Sequence, residues 1–342
     1  MSFVTSEFRP RIRGGHRQTL YAWVRKRRFS NLPEPVERYF DVAADTRVLA
    51  HCHWHPDARR HPTILLLHGL EGSSLAHYMC GISDKAWTAG WNVVRLNQRN
   101  CGGTEHLCRG LYHSGLTHDP LFVLRELIER DGLTALAVAG YSLGGNLALK
   151  LAGELGDSAP PQLKAVCAVS PTLDLARCVD ALERPGNFVY QWNFVRNLKS
   201  RMRRKTAAVP GVFALESLRR IWTVRRFDDV YTAPNHGFRD STDYYYRASA
   251  LRTIGRIAVP TLIVTSEDDP FVPPAPFRHE AVIGNPHITV LITKYGGHCA
   301  FVEAGSPGPS SVEGSRLSSY DGYWAEREIV RFASASTSSR AN

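Results

Sequence analysis

One uncharged stretch does most to limit what this chain can fold into. Residues 132–149 contain no Asp, Glu, Lys or Arg, and Gly140-Tyr-Ser-Leu-Gly-Gly145 lies near the middle. A run of that length reaches the range of a membrane span. Its central glycines and serine read better as a sharp turn, with a buried strand before it and a buried helix after it. A strand joined so tightly to a helix is the repeating unit of an α/β protein.

The rest of the chain repeats the unit. Short apolar runs at 36–42, 47–54, 63–67, 92–96, 134–139, 163–169, 260–265 and 288–293 predict eight strands. The first two alternate in polarity and are close together, as an exposed antiparallel pair would be. The later ones are mostly continuous Val, Leu and Ile, as in strands covered on both faces. Helical patterns at 75–89, 119–130 and 143–155 fall between them. The expected architecture is a mainly parallel eight-stranded sheet with helices on both faces. About ninety residues separate the sixth strand from the seventh, too many for one crossover helix. Phe194, Val195, Leu198 and Met202 share one helical face there, and Arg196, Lys199 and Arg203 share another. This interval reads as a largely helical cap. The expected divisions are a basic N-terminal arm (1–35), a core domain in two parts (36–170 and 256–335) around the cap (171–255), and a flexible tail (336–342). Ser306-Pro-Gly-Pro onward to Ser319 reads as a surface loop, and residues 320–333 as an amphipathic terminal helix.

Net charge invites a different reading. The formal balance is +10, which suggests nucleic acid. Yet residues 9–28 hold eight Arg and Lys with no acid, and residues 196–205 hold six with no acid. Without those, 28 basic residues face 32 acidic ones. The excess belongs to two segments, and no nucleic-acid-binding motif accompanies them. Leu20, Trp23 and Val24 beside Arg25-Lys-Arg-Arg28 form a short basic amphipathic pattern suited to an anionic membrane surface, with a solvated face as the plain alternative. The cap cluster suits the steering of an acidic ligand. Seven scattered cysteines fit no disulfide framework, and the first residues lack the layout of a secretory signal. A cytoplasmic protein is expected, with the inner face of the membrane as the surface it would touch. Oligomeric state is not legible.

The chemistry starts at the turn. G-x-S-x-G between a strand and a helix describes a nucleophile elbow, where small residues allow the bend that presents the Ser142 hydroxyl. The plain alternative is a serine that caps the helix. A phosphate loop fits less well, because Gly-Lys-Ser/Thr is absent. A serine needs a base to take its proton, and the base needs an orienting acid. The seventh strand runs into Glu267-Asp-Asp-Pro-Phe-Val-Pro273 and the eighth into Tyr295-Gly-Gly-His298. Asp269 lies in a D-x-x-V-P context; Asp268 is the adjacent candidate and Asp174, after the sixth strand, another. His298 completes the chain order Ser, Asp, His. The expected oxyanion donors are the backbone N–H groups of Leu143, after the nucleophile, and Leu70, in the loop after the third strand.

These motifs, with His68-Gly-Leu-Glu-Gly-Ser-Ser74, Asn97-Gln-Arg-Asn-Cys-Gly-Gly103, Tyr112-His-Ser-Gly115, Ser170-Pro171 and Gly15-His-Arg-Gln-Thr-Leu20, resemble the YheT-like branch of the α/β-hydrolases over residues 9–303 and the last helix. The resemblance implies the α/β-hydrolase fold and carboxylic-ester hydrolysis on acyl chains, with acyl transfer to alcohols in some relatives. It implies Ser142, Asp269 and His298 as the triad. No cofactor and no metal are expected, and the expected partner is a small-molecule acyl ester or lipid-like substrate. The alternatives are an alcohol acyltransferase using the same acyl-enzyme, or a silent protein that binds acyl ligands.

Three rival features carry less. His51, His53 and His55 alternate on one strand face, but strand spacing sets neighbours about 6.6 Å apart, so a solvated face is the expectation rather than a metal site. Cys101 and Cys108 read as free thiols. Cys299 adjoins His298 in sequence, which does not make the two face each other.

Overall fold

The computed structural model describes residues 8–305 and 321–338. The sheet forms because six consecutive strands have almost no polar face to offer water. β1 (Val36–Ala43) and β2 (Thr46–His53) make an antiparallel pair. They are followed by β3 (Thr63–Leu67), β4 (Asn92–Leu96), β5 (Leu136–Tyr141), β6 (Leu163–Val169), β7 (Thr261–Ser266) and β8 (Ile288–Thr293). The order across the sheet is β1-β2-β4-β3-β5-β6-β7-β8, with all contacts from β4 to β8 parallel. Side chains alternate between two cores, as strand geometry requires. In β3, Leu65 and Leu67 join one core while Ile64 and Leu66 join the other.

Helices cover both faces. α1 (Gly15–Val24) precedes the sheet; α2 (His77–Thr88), α3 (His118–Glu129) and α4 (Leu143–Leu155) follow β3, β4 and β5. Between β6 and β7 the chain forms α5 (Leu175–Leu182), the long α6 (Phe188–Ala208), short α7 (Val224–Phe227) and α8 (Ala233–Asn235), and α9 (Ser241–Ala248). α10 (Glu280–Ile283) precedes β8, and α11 (Trp324–Ser338) ends the described chain. No helix among the described residues is long and apolar enough to cross a membrane.

Several expectations need correction. β5 begins and ends two residues later than its apolar run suggests, because Gly140 and Tyr141 stay in register with Ala168 and Val169 of β6. The last helix starts at Trp324, since Gly322 takes φ +86° and Tyr323 bridges Val302. It continues to Ser338, so residues 336–338 are helix rather than tail. Ser336 and Ser338 hydroxyls donate to the carbonyls of Phe332 and Ser334, which satisfies polar residues that carry no apolar periodicity. The tail beyond 338 and the loop at 306–319 lie outside the described residues. The histidines of β2 are not a solvated face. His53 is buried against Arg95, His51 meets the Ser74 hydroxyl at 2.6 Å, and His55, past the strand end, stacks 3.7 Å from Trp87.

The basic segments are also less superficial than their composition suggests. Arg27 is buried between Glu326 and Asp321, with its guanidinium 3.5 Å from the Tyr323 ring centroid. Arg201 and Lys205 point inward from α6, beside buried Val195, Leu198 and Met202. The long side chains bury charge where acids or carbonyls receive it.

Candidate active site

The turn at β5–α4 is fixed by its glycines. A Cβ on Gly140 would lie 2.0 Å from the Gly144 carbonyl oxygen, and one on Gly144 would lie 2.3 Å from that of Leu67. Only bare backbones can approach so closely. Ser142 between them adopts φ 54°, ψ −117°, a conformation that costs a non-glycine residue about 1–3 kcal/mol. Strain of that kind persists where surrounding contacts over-determine it: Ser142 N–H donates to Val169 O at 2.9 Å, and its carbonyl accepts from Asn146 N–H at 3.0 Å. The Ser142 side chain makes no helix-capping bond, so the capping alternative fails.

The Ser142 hydroxyl lies 2.9 Å from His298 Nε2, and His298 Nδ1 lies 2.9 Å from Asp269 Oδ2. These three come from the ends of β5, β8 and β7. Asp269 Oδ1 accepts N–H bonds from Phe271 and Val272, at 3.1 and 2.9 Å, which fixes the carboxylate plane. With the His298 Nδ1 proton donated to Asp269, Nε2 is the acceptor and can take the serine proton. Burial disfavours the imidazolium, but the adjacent Asp269 carboxylate and the Cys299 side chain outweigh it and hold the His298 pKa above its usual value. Asp269 accounts for that direction most directly, being in hydrogen-bond contact and fully buried.

The other acids go elsewhere. Asp268 Oδ1 accepts from Gly297 N–H at 2.9 Å and so shapes the histidine loop, while its Oδ2 is buried without a hydrogen-bond partner among the described residues. Asp174 caps α5 through Arg177 N–H. Cys299 directs its sulfur to the Val169 carbonyl, at 3.7 Å.

Around the third-strand loop, Gly69 N–H donates to Tyr78 OH, Glu71 N–H to Tyr112 OH, and Gly72 N–H to the Gly69 carbonyl. Leu70 N–H has no acceptor among the described residues. Leu143, as the first residue of α4, likewise has no acceptor one turn back. Both residues pack in one cluster with Cys101 and Tyr112. His68 at the loop base is fully buried, and desolvation lowers its pKa to about 4, so it stays neutral.

Two supports were not singled out by motif. Thr19 Oγ1 on α1 accepts from His298 N–H at 2.8 Å, so the first helix holds the histidine loop. Thr19 lies inside the Gly15–Leu20 signature, which was its only sequence signal. On the opposite side, Arg201 Nε of α6 reaches Glu71 Oε1 at 2.7 Å, both side chains being about 5% exposed or less. The approach is close enough for ion pairing but off the axis of a hydrogen bond, leaving Nε and Nη1 without hydrogen-bond partners among the described residues. Tyr112 OH donates to the same carboxylate oxygen at 3.1 Å, and its ring lies 4.7 Å below the guanidinium. Glu71, at φ 56°, is thus tied at both its N–H and its carboxylate. In sequence Arg201 belongs to the basic cluster at 196–205, and its partner is more than a hundred residues away.

No group of three or more potential metal ligands occurs among the described residues. The arrangement can move a proton between Ser142 and His298.

Comparison with known proteins agrees with this architecture. A family model described as the alpha/beta hydrolase fold matches residues 62–305. YheT of Escherichia coli (strain K12) is 37% identical over 251 residues, covering 72% of each chain. Phospholipase ABHD3 of Mus musculus is 29% identical, covering 73% of this chain and 61% of its own length. The medium-chain fatty acid ethyl ester synthase/esterase 2 of Saccharomyces cerevisiae (strain ATCC 204508 / S288c) is 28% identical, covering 71% of this chain and 58% of its own. Among solved structures, the Pyrococcus furiosus esterase Pf2001 has a TM-score of 0.53 at 14% identity, covering 80% of this chain and 88% of that one, a likeness of fold alone.

Proposed function

The chain belongs to the alpha/beta hydrolase fold family, on its YheT-like branch, and is a carboxylic-ester hydrolase; on that premise we propose that it works through a covalent acyl-enzyme on Ser142. The Ser142 oxygen attacks the ester carbonyl while His298 Nε2 takes its proton. The carbonyl oxygen becomes an oxyanion held by Leu70 and Leu143 N–H. Collapse breaks the bond to the alcohol oxygen, which leaves with the proton from His298. Water then attacks the acyl-enzyme, losing a proton to His298, and the acid departs as Ser142 regains its own. Asp269 keeps the imidazole in the required tautomer and stabilises it when protonated.

The observation that carries this reading is the unbroken hydrogen-bonded line Ser142–His298–Asp269, 2.9 Å at each step. A backbone N–H aimed at an oxyanion contributes about 3 kcal/mol of transition-state stabilisation. The helices between β6 and β7 are proposed as the cap over the site, and an acyl or lipid-like ester as the substrate class. Acyl transfer to an alcohol is the second reading. It is favoured by the yeast relative's name and by the low exposure of His298, whose side chain is 10% accessible. A site that limits water lets an alcohol compete for the same acyl-enzyme.

Labelling with a fluorophosphonate probe tests the nucleophile, with Ser142→Ala as the control. Loss of labelling in the variant is expected; labelling that persists would remove Ser142 from the mechanism. Turnover of p-nitrophenyl esters of graded length, with and without added ethanol, separates hydrolysis from transfer through the ratio of acid to ethyl ester.

A further inference from the structure

Two exposed apolar strips meet at Tyr190. On α1, the inward positions Gly15, Gln18, Thr19 and Ala22 are buried, while Trp23 and Val24 are 44% and 77% exposed. At the start of α6, Phe188, Val189 and Trp192 are 68%, 58% and 50% exposed. Tyr190, buried among them, meets the Trp23 ring edge-on at 5.8 Å and stacks on His16 at 5.7 Å. Its ring is 5.3 Å from Phe271, whose ring is 4.1 Å from His298. The strips therefore lie two aromatic rings from the candidate site.

Large apolar side chains gathered at one surface need an occupant, and the charge around these indicates which. No Asp or Glu occurs between residues 8 and 33 or between 184 and 215. Although Arg27, Arg201 and Lys205 are used inside the fold, Arg17, Lys26, Arg28, Arg196 and Arg203 face solvent. The Arg196 guanidinium stands 5.6 Å from the Trp192 ring, and Lys199 stands 4.7 Å from exposed Trp222. Tryptophan mixed with cations, on segments that carry no carboxylate of their own, suits a headgroup layer: rings enter the interface while cations meet phosphates. A protein partner would supply acids in a fixed pattern, and nothing in the strips prescribes one.

We propose that α1 and the N-terminal end of α6 form one docking face for an anionic lipid surface. Docking sets the Tyr190 side of the candidate site against the lipid layer. The face rests on exposure and charge; only its use in delivering an ester rests on the catalytic reading.

The test uses the full chain carrying Ser142→Ala, so that binding is read without turnover. Sedimentation with phosphatidylcholine vesicles is compared with sedimentation when phosphatidylglycerol is added, across salt. Binding to the anionic vesicles is expected to exceed binding to the neutral ones by about tenfold or more at ~0.1 M salt, and to fall as salt rises. Val24→Ser with Phe188→Ser and Trp192→Ser should weaken it by about tenfold or more, while circular dichroism melting of that variant is unchanged. Absence of binding at low salt, or equal binding by the triple variant, overturns the proposal. So does a wild-type dimer that the triple variant converts to monomer, because a second copy would then be the occupant. Failed probe labelling of Ser142 would leave these outcomes untouched.

Discussion

The two sides of the site are held by different parts of the chain. His298 is gripped from below by core elements: Asp269 and Asp268 from the β7 loop, and Thr19 from α1. The Leu70 loop is gripped from above, by Arg201 and Tyr112 acting on Glu71. The base side is tied down by three hydrogen bonds of 2.8 to 2.9 Å. The proposed oxyanion side depends on a helix between β6 and β7, through a buried ion pair whose Arg201 Nε and Nη1 have no hydrogen-bond partner among the described residues. On the proposed mechanism, a shift of α6 would therefore disturb the Leu70 donor before the His298 base.

Substitutions can break this contrast, beginning with the largest effect. Asp269→Asn should lower kcat by about 10⁴-fold with its fold intact, because the amide favours the wrong imidazole tautomer. The same variant sharpens the pH behaviour. On the proposed mechanism the base works as neutral imidazole, so kcat/KM should rise with pH through a His298 pKa that lies above the ordinary value. Removing the carboxylate should move that acid limb to lower pH; a limb that stays put would mean the histidine is not the titrating base. Arg201→Met leaves Glu71 buried and unpaired, with an expected stability loss of about 3–5 kcal/mol. Among molecules still folded, kcat should fall about 10²-fold while the acid limb of the pH profile stays where it was. If the limb moves instead, the two sides are not independent. Thr19→Val strips the acceptor from His298 N–H, for which we expect a loss of about 1–3 kcal/mol in thermal unfolding and about tenfold in kcat. Asp174→Asn keeps a capping side chain on α5, so stability should change by less than about 0.5 kcal/mol and kcat hardly at all. A large effect there would reopen the choice of acid.

What could be read from the sequence follows from the range of the interactions concerned. The strands of the sheet were legible because burial on both faces leaves continuous apolar runs, and the elbow because only glycine fits at 140 and 144. Ser142, Asp269 and His298 each stood at the end of a recognisable strand, so three local signals converged. The choice between Asp268 and Asp269 turned on which carboxylate faces the imidazole, a matter of backbone direction that the neighbouring Pro270 and Val272 only hint at. Burial of Arg27, Arg201 and Lys205 was not legible. An arginine reads as exposed until its partner is known, and the partners Glu326 and Glu71 lie hundreds of residues away in one case and over a hundred in the other. The polar last turn of α11 is illegible for the opposite reason: its stabilising bonds are local, but apolar periodicity does not register them.

One contact made early in the chain has a consequence for how the protein comes into being. Gly15 lies so close to the Asp268 carbonyl that a Cβ there would come within 1.7 Å of the oxygen, and Thr19, one turn later, holds the His298 amide. During synthesis α1 leaves the ribosome ahead of the sheet and waits for nearly three hundred residues before the last of its docking groups exists. The base can be locked in place only after β8 and the turn beyond it have emerged. On the proposed mechanism a nascent chain therefore carries its serine unarmed, and a chain that stops short of that last turn has an elbow with nothing to take its proton.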